Sequence, residues 1–89
     1  MSQLQNGLAR PTRQELLALF RETASEVVEK DYRHAVEGMS IGELAIDSLG
    51  LLEIIGSLER RLHIQIPDEG LRGLKTIGDL LDEVERRLT

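Results

Sequence analysis

Ser48 is the residue of this chain whose type and setting best suit covalent chemistry. Asp47 precedes it, Leu49 follows it, and a long apolar pattern typical of a helix starts there. At the positive end of a helix, backbone N–H groups without helical partners stabilise an attached phosphodiester anion. We therefore predict that Ser48 is a modification site. Asp47 is predicted to be the N-cap of the helix, and it could also help to orient the modifying enzyme.

Two other interpretations of Ser48 stay open. As a residue at a helix start it needs no function, because small polar residues suit that position. As a hydrolytic nucleophile it would need a general base and an oxyanion hole, yet its flanks Ile46 and Gly50 do not complete Gly-x-Ser-x-Gly. We expect the only histidines, His34 and His63, to be solvent-exposed, so hydrolysis is the least favoured interpretation.

Size and composition narrow the class of protein. With 89 residues, the chain fits one domain with one core and no room for a deep enclosed active site. Aromatic residues make up only 2%, so the core must be aliphatic and base stacking on nucleic acid has little support. The absence of cysteine excludes disulfides, thiolate catalysis and cysteine-ligated metal, so any thiol must come from a cofactor.

The sequence contains no pattern for export or membrane insertion. Residues 1–11 lack the apolar segment of a secretory signal. No apolar run approaches the ~18 residues that a membrane span needs. We therefore expect a cytoplasmic protein that binds neither membrane nor nucleic acid.

The net charge of −5 arises around Ser48. Acidic and basic residues balance in 1–33 and again in 60–89, whereas 34–59 contain no lysine or arginine. The acids of this middle segment are Glu37, Glu43, Asp47, Glu53 and Glu59. Such a local field favours basic partner proteins and opposes nucleic acid, although acids also solvate ordinary surfaces.

The elements that must position Ser48 follow from capping signals and apolar spacing. Residues 1–11 are predicted to be a flexible lead-in, and 12–89 to form the domain. A capping box at residues 12–15 starts a first helix that runs to about Lys30. A long loop follows at 31–46, and a loop of this length needs anchors to the core. The expected anchors are its apolar side chains, Val36, Met39, Ile41, Leu44 and Ile46.

A second helix is predicted from Ser48 to Leu62. An extended connector then precedes Pro67, a short weak helix lies within 68–74, and Thr76 caps a last helix. At 100° per residue, one apolar stripe of the second helix faces the core: Leu51, Ile54, Ile55, Leu58 and Leu62. We predict an all-α fold, a small four-helix bundle with three main helices and one short helix.

Another face of the second helix combines leucines with acids. Leu49 and Leu52 fall outside the core stripe, in the sector of Glu53 and Glu59. Apolar contact supplies affinity for a partner and acids supply steering, so we interpret this face as a docking surface. For Leu49, burial under a neighbouring segment is an equal alternative, and for Leu52 docking is favoured.

With these features in place, the chain resembles the acyl carrier proteins of fatty-acid and polyketide synthesis, from about Leu16 to Leu88. The most specific shared piece is Asp47-Ser48-Leu49, the attachment motif of that family. A downstream series at family spacing strengthens the resemblance. It comprises Leu52-Glu53-Ile54, Leu58-Glu59, Ile64-Gln65-Ile66-Pro67-Asp68-Glu69 and Thr76-Ile77-Gly78-Asp79-Leu80.

The resemblance implies a four-helix bundle of acyl-carrier type without catalysis of its own. It implies 4′-phosphopantetheine, joined to Ser48 by a phosphodiester, with a thiol that carries an acyl group as a thioester. It also implies that Leu49, Leu52, Glu53 and Glu59 are recognition residues for basic patches on partner enzymes. The partners would be a phosphopantetheinyl transferase, a ketosynthase, and an acyltransferase or acyl-activating ligase, all acting on a monomer.

Departures from the family pattern bear on the pathway. Gly50 stands where fatty-acid carriers usually have an acid, Gly56 where they often have methionine, and Arg60 and Arg61 where they continue with acids. The resemblance therefore favours polyketide or specialised fatty-acid biosynthesis over primary fatty-acid synthesis.

Two alternative functions stay open. One is a peptidyl or aminoacyl carrier, although Ala45-Ile46-Asp47 does not fit the usual peptidyl motif. The other is an unmodified helical protein-interaction module.

Overall fold

The computed structural model describes residues 10–88, and these fold into a small bundle of α-helices. The helices are α1 (Arg13–Val28), α2 (Ser48–Leu62), α3 (Asp68–Leu71) and α4 (Ile77–Arg87), and a 3₁₀ turn at Gly42–Leu44 lies between α1 and α2. The predicted all-α class, with three main helices and one short helix, is confirmed. Apart from Arg10 and Pro11, the lead-in predicted at 1–11 lies outside the described residues.

Side-chain caps fix where α1 and α4 begin. Thr12 Oγ1 accepts from the N–H of Glu15 (3.1 Å), and the Glu15 carboxylate accepts from the N–H of Thr12 (2.8 Å). Thr76 and Asp79 form the same reciprocal pair at the start of α4, with distances of 3.0 and 3.1 Å. Each pair satisfies two N–H groups that lack helical partners, and both predicted capping signals are confirmed.

α1 is shorter than the sequence predicts, whereas α3 lies where the sequence places a short helix. α1 ends at Val28 rather than near Lys30, because Glu29 adopts a left-handed conformation (φ 61°) and its N–H turns back to the carbonyl of Ser25 (2.9 Å). α3 is a single turn within the predicted segment 68–74. Gly73, at φ 77°, lies just beyond it in a conformation that only glycine adopts at low cost.

The core is almost entirely aliphatic, as the low aromatic content predicts. Leu16 and Phe20 of α1 are buried in one cluster with residues of α2 and α4. The predicted stripe of α2 is confirmed: three of its members are buried in this cluster, and the two outer ones are partly buried against it. The buried members are Ile54, Ile55 and Leu58, and the outer ones are Leu51 and Leu62. α4 contributes four buried residues to this cluster, Ile77, Leu80, Leu81 and Val84.

Buried side chains anchor the loop between α1 and α2, but not all of the predicted ones. Ile41, Leu44 and Ile46 are buried and Met39 is partly buried. Val36 is 47% exposed, so its predicted role as an anchor is wrong. The physical reason is that the neighbouring side chains of Tyr32 and Ala35 occupy the core instead.

Tyr32 is the anchor that apolar periodicity missed. It is 3% exposed, and its hydroxyl donates to the carbonyl of Leu44 (2.8 Å), which satisfies the polar end of a buried ring. Backbone bonds then join the loop to the start of α4, from the N–H of Ile41 to the carbonyl of Lys75 (2.8 Å) and from the N–H of Ile77 to the carbonyl of Met39 (3.0 Å). The loop that leads into α2 is therefore held on two sides.

Charged groups stabilise the bundle around α1 and α4. Arg13 donates through two nitrogens to the carboxylate of Glu37 (3.0 and 2.9 Å), and this hydrogen bonding holds the pKa of Glu37 below its ordinary value. Burial raises the pKa of Glu83, but hydrogen bonds from Arg86 and Arg87 outweigh burial, so the pKa is lowered. A carboxylate this buried is tolerated because both of its oxygens are paired.

Candidate functional site

Asp47 caps α2, and this places Ser48 on the first turn. The Oδ1 atom of Asp47 accepts a hydrogen bond from the N–H of Gly50 at 2.7 Å, and Asp47 itself has an extended backbone (φ −81°, ψ 177°). The next helical bond runs from the N–H of Leu51 to the carbonyl of Asp47 (2.9 Å). The predicted cap is thus present. It leaves the N–H groups of Ser48 and its successor facing outward, where an anion would find donors.

The side chain of Ser48 is exposed and makes no hydrogen bond with any group in residues 10–88. His34 and His63 are both exposed, as predicted. His63 follows the last residue of α2, about 22 Å from Ser48 along the helix axis. Neither histidine forms a hydrogen bond with this hydroxyl in residues 10–88, so the arrangement suits a serine that is modified better than one that attacks a substrate.

The 3₁₀ turn at Gly42–Leu44 lies just before this cap. Ala45 ends the turn in a left-handed conformation (φ 58°), with its N–H bonded to the carbonyl of Gly42 (3.2 Å), and Ile46 is buried next to Asp47. This turn is not among the elements that the sequence predicts. A usable signal was Ser40 with Glu43 three residues later, and the two do form a reciprocal capping pair with distances of 3.0 and 3.1 Å.

The leucines beside Ser48 are open to solvent. Leu49 is 66% exposed and Leu52 is 54% exposed, and both are among the most exposed large apolar side chains of the described residues. Glu53 is exposed between them and the end of α1. The alternative in which a neighbouring segment covers Leu49 is therefore not what the fold shows. Their recognition role remains a prediction.

Glu59 shares the sector of these residues but is held by the fold. Its Oε2 atom accepts a hydrogen bond from the backbone N–H of Ile66 at 2.7 Å, and the residue is half-buried. Arg61, also on the last turns of α2, pairs with Glu22 and Glu26 of α1. The predicted recognition residues therefore divide: Glu53 has a free carboxylate, whereas that of Glu59 bonds to the connector after α2.

Arg60 differs from both Glu59 and Arg61. It is exposed, and no carboxylate in residues 10–88 lies within ion-pair distance of it. Its Nη1 atom lies over Gly56, 3.6 Å from where a Cβ of that residue would be. A positive group thus stands on the exposed side of α2 about 18 Å along the axis from Ser48.

A depression of about 250 Å³ adjoins Ser48 on the side of α1. Val27 and Val28 line it from the end of α1, and Gly50 and Glu53 line it from α2. Ala45, Asp47 and Leu49, on either side of Ser48, complete the lining. Sequence patterns could not reveal this depression, because it depends on how the end of one helix packs beside the start of another.

Two properties of the described residues concern membranes and metal ions. Within residues 10–88, no helix has the length and apolar character that crossing a membrane requires. The same part of the chain holds no group of three or more histidine, aspartate or glutamate residues that could bind a metal ion.

Comparison with known proteins identifies the family. A family model described as a phosphopantetheine attachment site matches residues 18–84. A meromycolate extension acyl carrier protein from Mycolicibacterium smegmatis is 33% identical over 76 residues, which cover 84% of this chain and 77% of that protein. An acyl carrier protein from Clostridium perfringens is 41% identical over 49 residues. That match covers 55% of this chain and 64% of the relative, which is less than two thirds of its length.

The fold gives the same result. The crystal structure of an acyl carrier protein from Thermotoga maritima superposes with a TM-score of 0.80 at 32% identity, covering 85% of this chain and 89% of that one. The chain belongs to the phosphopantetheine-binding acyl carrier protein family. Its prosthetic group is a covalent 4′-phosphopantetheine, and the protein is a carrier rather than an enzyme.

Proposed function

We propose that this protein carries acyl intermediates as thioesters on a 4′-phosphopantetheine arm attached to Ser48. The observation that carries the proposal is the exposed hydroxyl of Ser48 at the capped start of α2, where helical N–H groups favour a phosphodiester. The arm supplies the thiol that a chain without cysteine lacks. The chain's own part is to present the serine on a rigid helix and to leave its surroundings open to partner enzymes.

The open surroundings support a docking role for the start of α2. Leu49 and Leu52 expose apolar surface beside the free carboxylate of Glu53. A partner with a basic patch around an apolar contact would gain affinity from the leucines and a faster encounter from the charge. Glu59 is the weaker recognition residue of the four, because its carboxylate already accepts a hydrogen bond from Ile66.

The pathway we propose is polyketide or specialised fatty-acid biosynthesis. Gly50, Gly56 and Arg60 make the exposed side of α2 less acidic and less bulky than the general family pattern, which favours dedicated partners. One of the relatives, from Mycolicibacterium smegmatis, is named for meromycolate extension, a specialised lipid process. The proposed partners are a phosphopantetheinyl transferase, a ketosynthase and an acyltransferase or acyl-activating ligase. We further propose a cytoplasmic monomer.

Intact-mass analysis tests the attachment. The chain is incubated with coenzyme A, Mg²⁺ and a broad-range phosphopantetheinyl transferase, and we expect the mass to rise by one phosphopantetheine. Ser48→Ala should abolish the gain. Ser57→Ala is the matched control, because it removes a serine from the interior-facing side of the same helix, and it should load normally.

A folded chain that gains no mass would overturn the proposal and favour an unmodified interaction module. A gain that persists in Ser48→Ala would move the attachment elsewhere. Loading followed by charging with an amino acid, but not with acyl groups, would favour the peptidyl or aminoacyl alternative.

A further inference from the structure

The depression beside Ser48 is open because residue 50 has no side chain. A Cβ built on Gly50 would lie 3.1 Å from Asp47 Oδ1, 3.5 Å from Ile46 Cγ2 and 3.8 Å from Val28 Cγ2. The backbone does not need glycine here, since Gly50 is not among the residues with positive φ. Glycine weakens a helix relative to alanine. What this residue supplies in return is space between the start of α2 and the end of α1.

The lining of the depression combines apolar and hydrogen-bonding groups. Val27 and Val28 are partly buried against the core and present aliphatic surface at its α1 side. On the α2 side, the exposed carboxylate of Glu53 bonds to no group in residues 10–88 and is free to accept N–H donors. A ligand with branched methyl groups next to secondary amides fits this lining. The pantetheine portion of the arm has both, in its geminal dimethyl group and its two amides.

Attachment of the arm at Ser48 favours its binding in the depression. A tethered group acts at an effective concentration on the order of millimolar, so a shallow depression with weak affinity for the free group is filled when the group is tethered next to it. Glu53 lies only about 7–8 Å from Ser48 along the helix axis. An arm on the order of 15 Å long, by ordinary bond lengths, reaches the whole depression while its phosphate stays over the start of α2.

We propose that the depression formed by Val27, Val28, Gly50 and Glu53 is the resting site of the pantetheine arm in the protein that awaits a partner. The arm would lie on the surface between α1 and α2, with its methyl groups on the valines and its amides near Glu53. This inference rests on the proposed attachment at Ser48, but it adds a site on α1, a helix that the attachment motif does not involve.

Nuclear magnetic resonance of the loaded and unloaded full chain tests the site. Loading is first confirmed by intact mass, so failure of the attachment is recognised separately. We then expect nuclear Overhauser contacts between the Val28 methyl groups and the geminal methyl groups of the arm. We also expect the backbone amides of Val27 and Val28 to shift on loading, although they lie some twenty positions before Ser48 in the sequence.

A pair of variants supplies the control. Gly50→Gln fills the depression and should reduce the loading-dependent shift of the Val28 amide by at least half, with loss of the methyl contacts. Gly56→Gln places the same side chain on the same helix but outside this depression, where a Cβ would meet only Arg60, and should leave the Val28 shift unchanged.

Two results would overturn the inference. One is loaded wild-type protein in which Val27 and Val28 do not respond and the arm shows no contact with α1. The other is contact of the arm with the interior, for example with Ile54, instead of with this depression. Both are read on the wild-type chain, so the inference is decided even if Gly50→Gln does not fold.

Discussion

The two ends of α2 carry similar residues, but these residues are free at its start and bonded to other segments at its end. At its start, Glu53 is exposed and bonds to none of the described groups, and Leu49 and Leu52 are more than half exposed. At its end, Glu59 bonds to the backbone of Ile66, and Arg61 pairs with acids of α1. Charge and hydrophobicity alone would assign both ends to one recognition surface.

A charged residue is available to a partner only if no other group of the same chain already pairs with it. The first turns of α2 leave polar and apolar groups free around Ser48, whereas the last turns hold the connector and α1 in place. We therefore expect substitutions at the two ends to separate stability from partner recognition. This separation should be largest between Glu53 and Glu59.

Glu59→Ala should destabilise the protein, whereas Glu53→Ala should not. Removal of Glu59 leaves the N–H of the buried residue Ile66 without its charged acceptor, at a cost of about 1–3 kcal/mol. Glu53→Ala changes an exposed side chain and should alter the free energy of unfolding by no more than about 0.5 kcal/mol. Urea unfolding followed by circular dichroism measures both.

The rates of loading by a phosphopantetheinyl transferase should show the reverse order. Glu53→Ala should slow loading at low salt, because it removes a free steering charge near Ser48. Glu59→Ala should change it less. Suppose instead that Glu59→Ala left stability intact and slowed loading more than Glu53→Ala. The start of α2 would then not be the end that contacts the transferase, and the end of α2 would not be the one that stabilises the fold.

Asp47→Ala should lower the free energy of unfolding by about 1 kcal/mol, through loss of the cap on the N–H of Gly50. Asp47→Asn keeps a capping oxygen and should restore most of that loss. The same variant separates the two roles predicted for Asp47. Normal loading of Asp47→Asn would mean that the cap suffices, whereas slow loading of a stable Asp47→Asn would assign a role to the negative charge.

Local signals predicted the parts of this fold that depend on residues near one another in sequence. The capping boxes at Thr12 and Thr76, the cap at Asp47 and the stripe around Ile54 all depend on spacing within one helix, and all are confirmed. The use of each side chain depends on contacts between segments. The bond from Ile66 to Glu59 and the anchoring by Tyr32 could not be predicted, because they join residues whose approach is set by the packed fold.

The segments that enter and leave α2 share one backbone feature. Ala45, shortly before the helix, and His63, directly after it, are both left-handed, with φ values of 58° and 57°. This conformation costs an L-residue about 1–2 kcal/mol, while glycine loses about 0.5–1 kcal/mol in chain entropy on folding. Ala45→Gly and His63→Gly should therefore each stabilise the protein by about 0.5–1 kcal/mol in thermal or urea unfolding.

Neither glycine variant should change the loading of Ser48. The burial of Ile46 and the cap at Asp47 fix the start of α2 independently of residue 45. A fall in loading for Ala45→Gly alone would indicate that the strained turn before Asp47 helps to present the serine. A fall for His63→Gly would contradict the separation of the two ends.

Substitutions of the two neighbouring arginines at the end of α2 should have the smallest effects on stability, and only that of Arg61 should depend on salt. Arg61→Gln removes ion pairs with Glu22 and Glu26 and should lower the free energy of unfolding by about 0.2–1 kcal/mol at low ionic strength. At 1 M salt the effect should vanish, because exposed charges are then screened within about 3 Å. Arg60→Gln should be neutral at both salt concentrations, since Arg60 forms no ion pair with any described residue. A salt-dependent loss of stability for Arg60→Gln equal to that of Arg61→Gln would mean that both arginines form stabilising ion pairs within the protein. Arg60 would then no longer be a free positive group that a dedicated partner could contact.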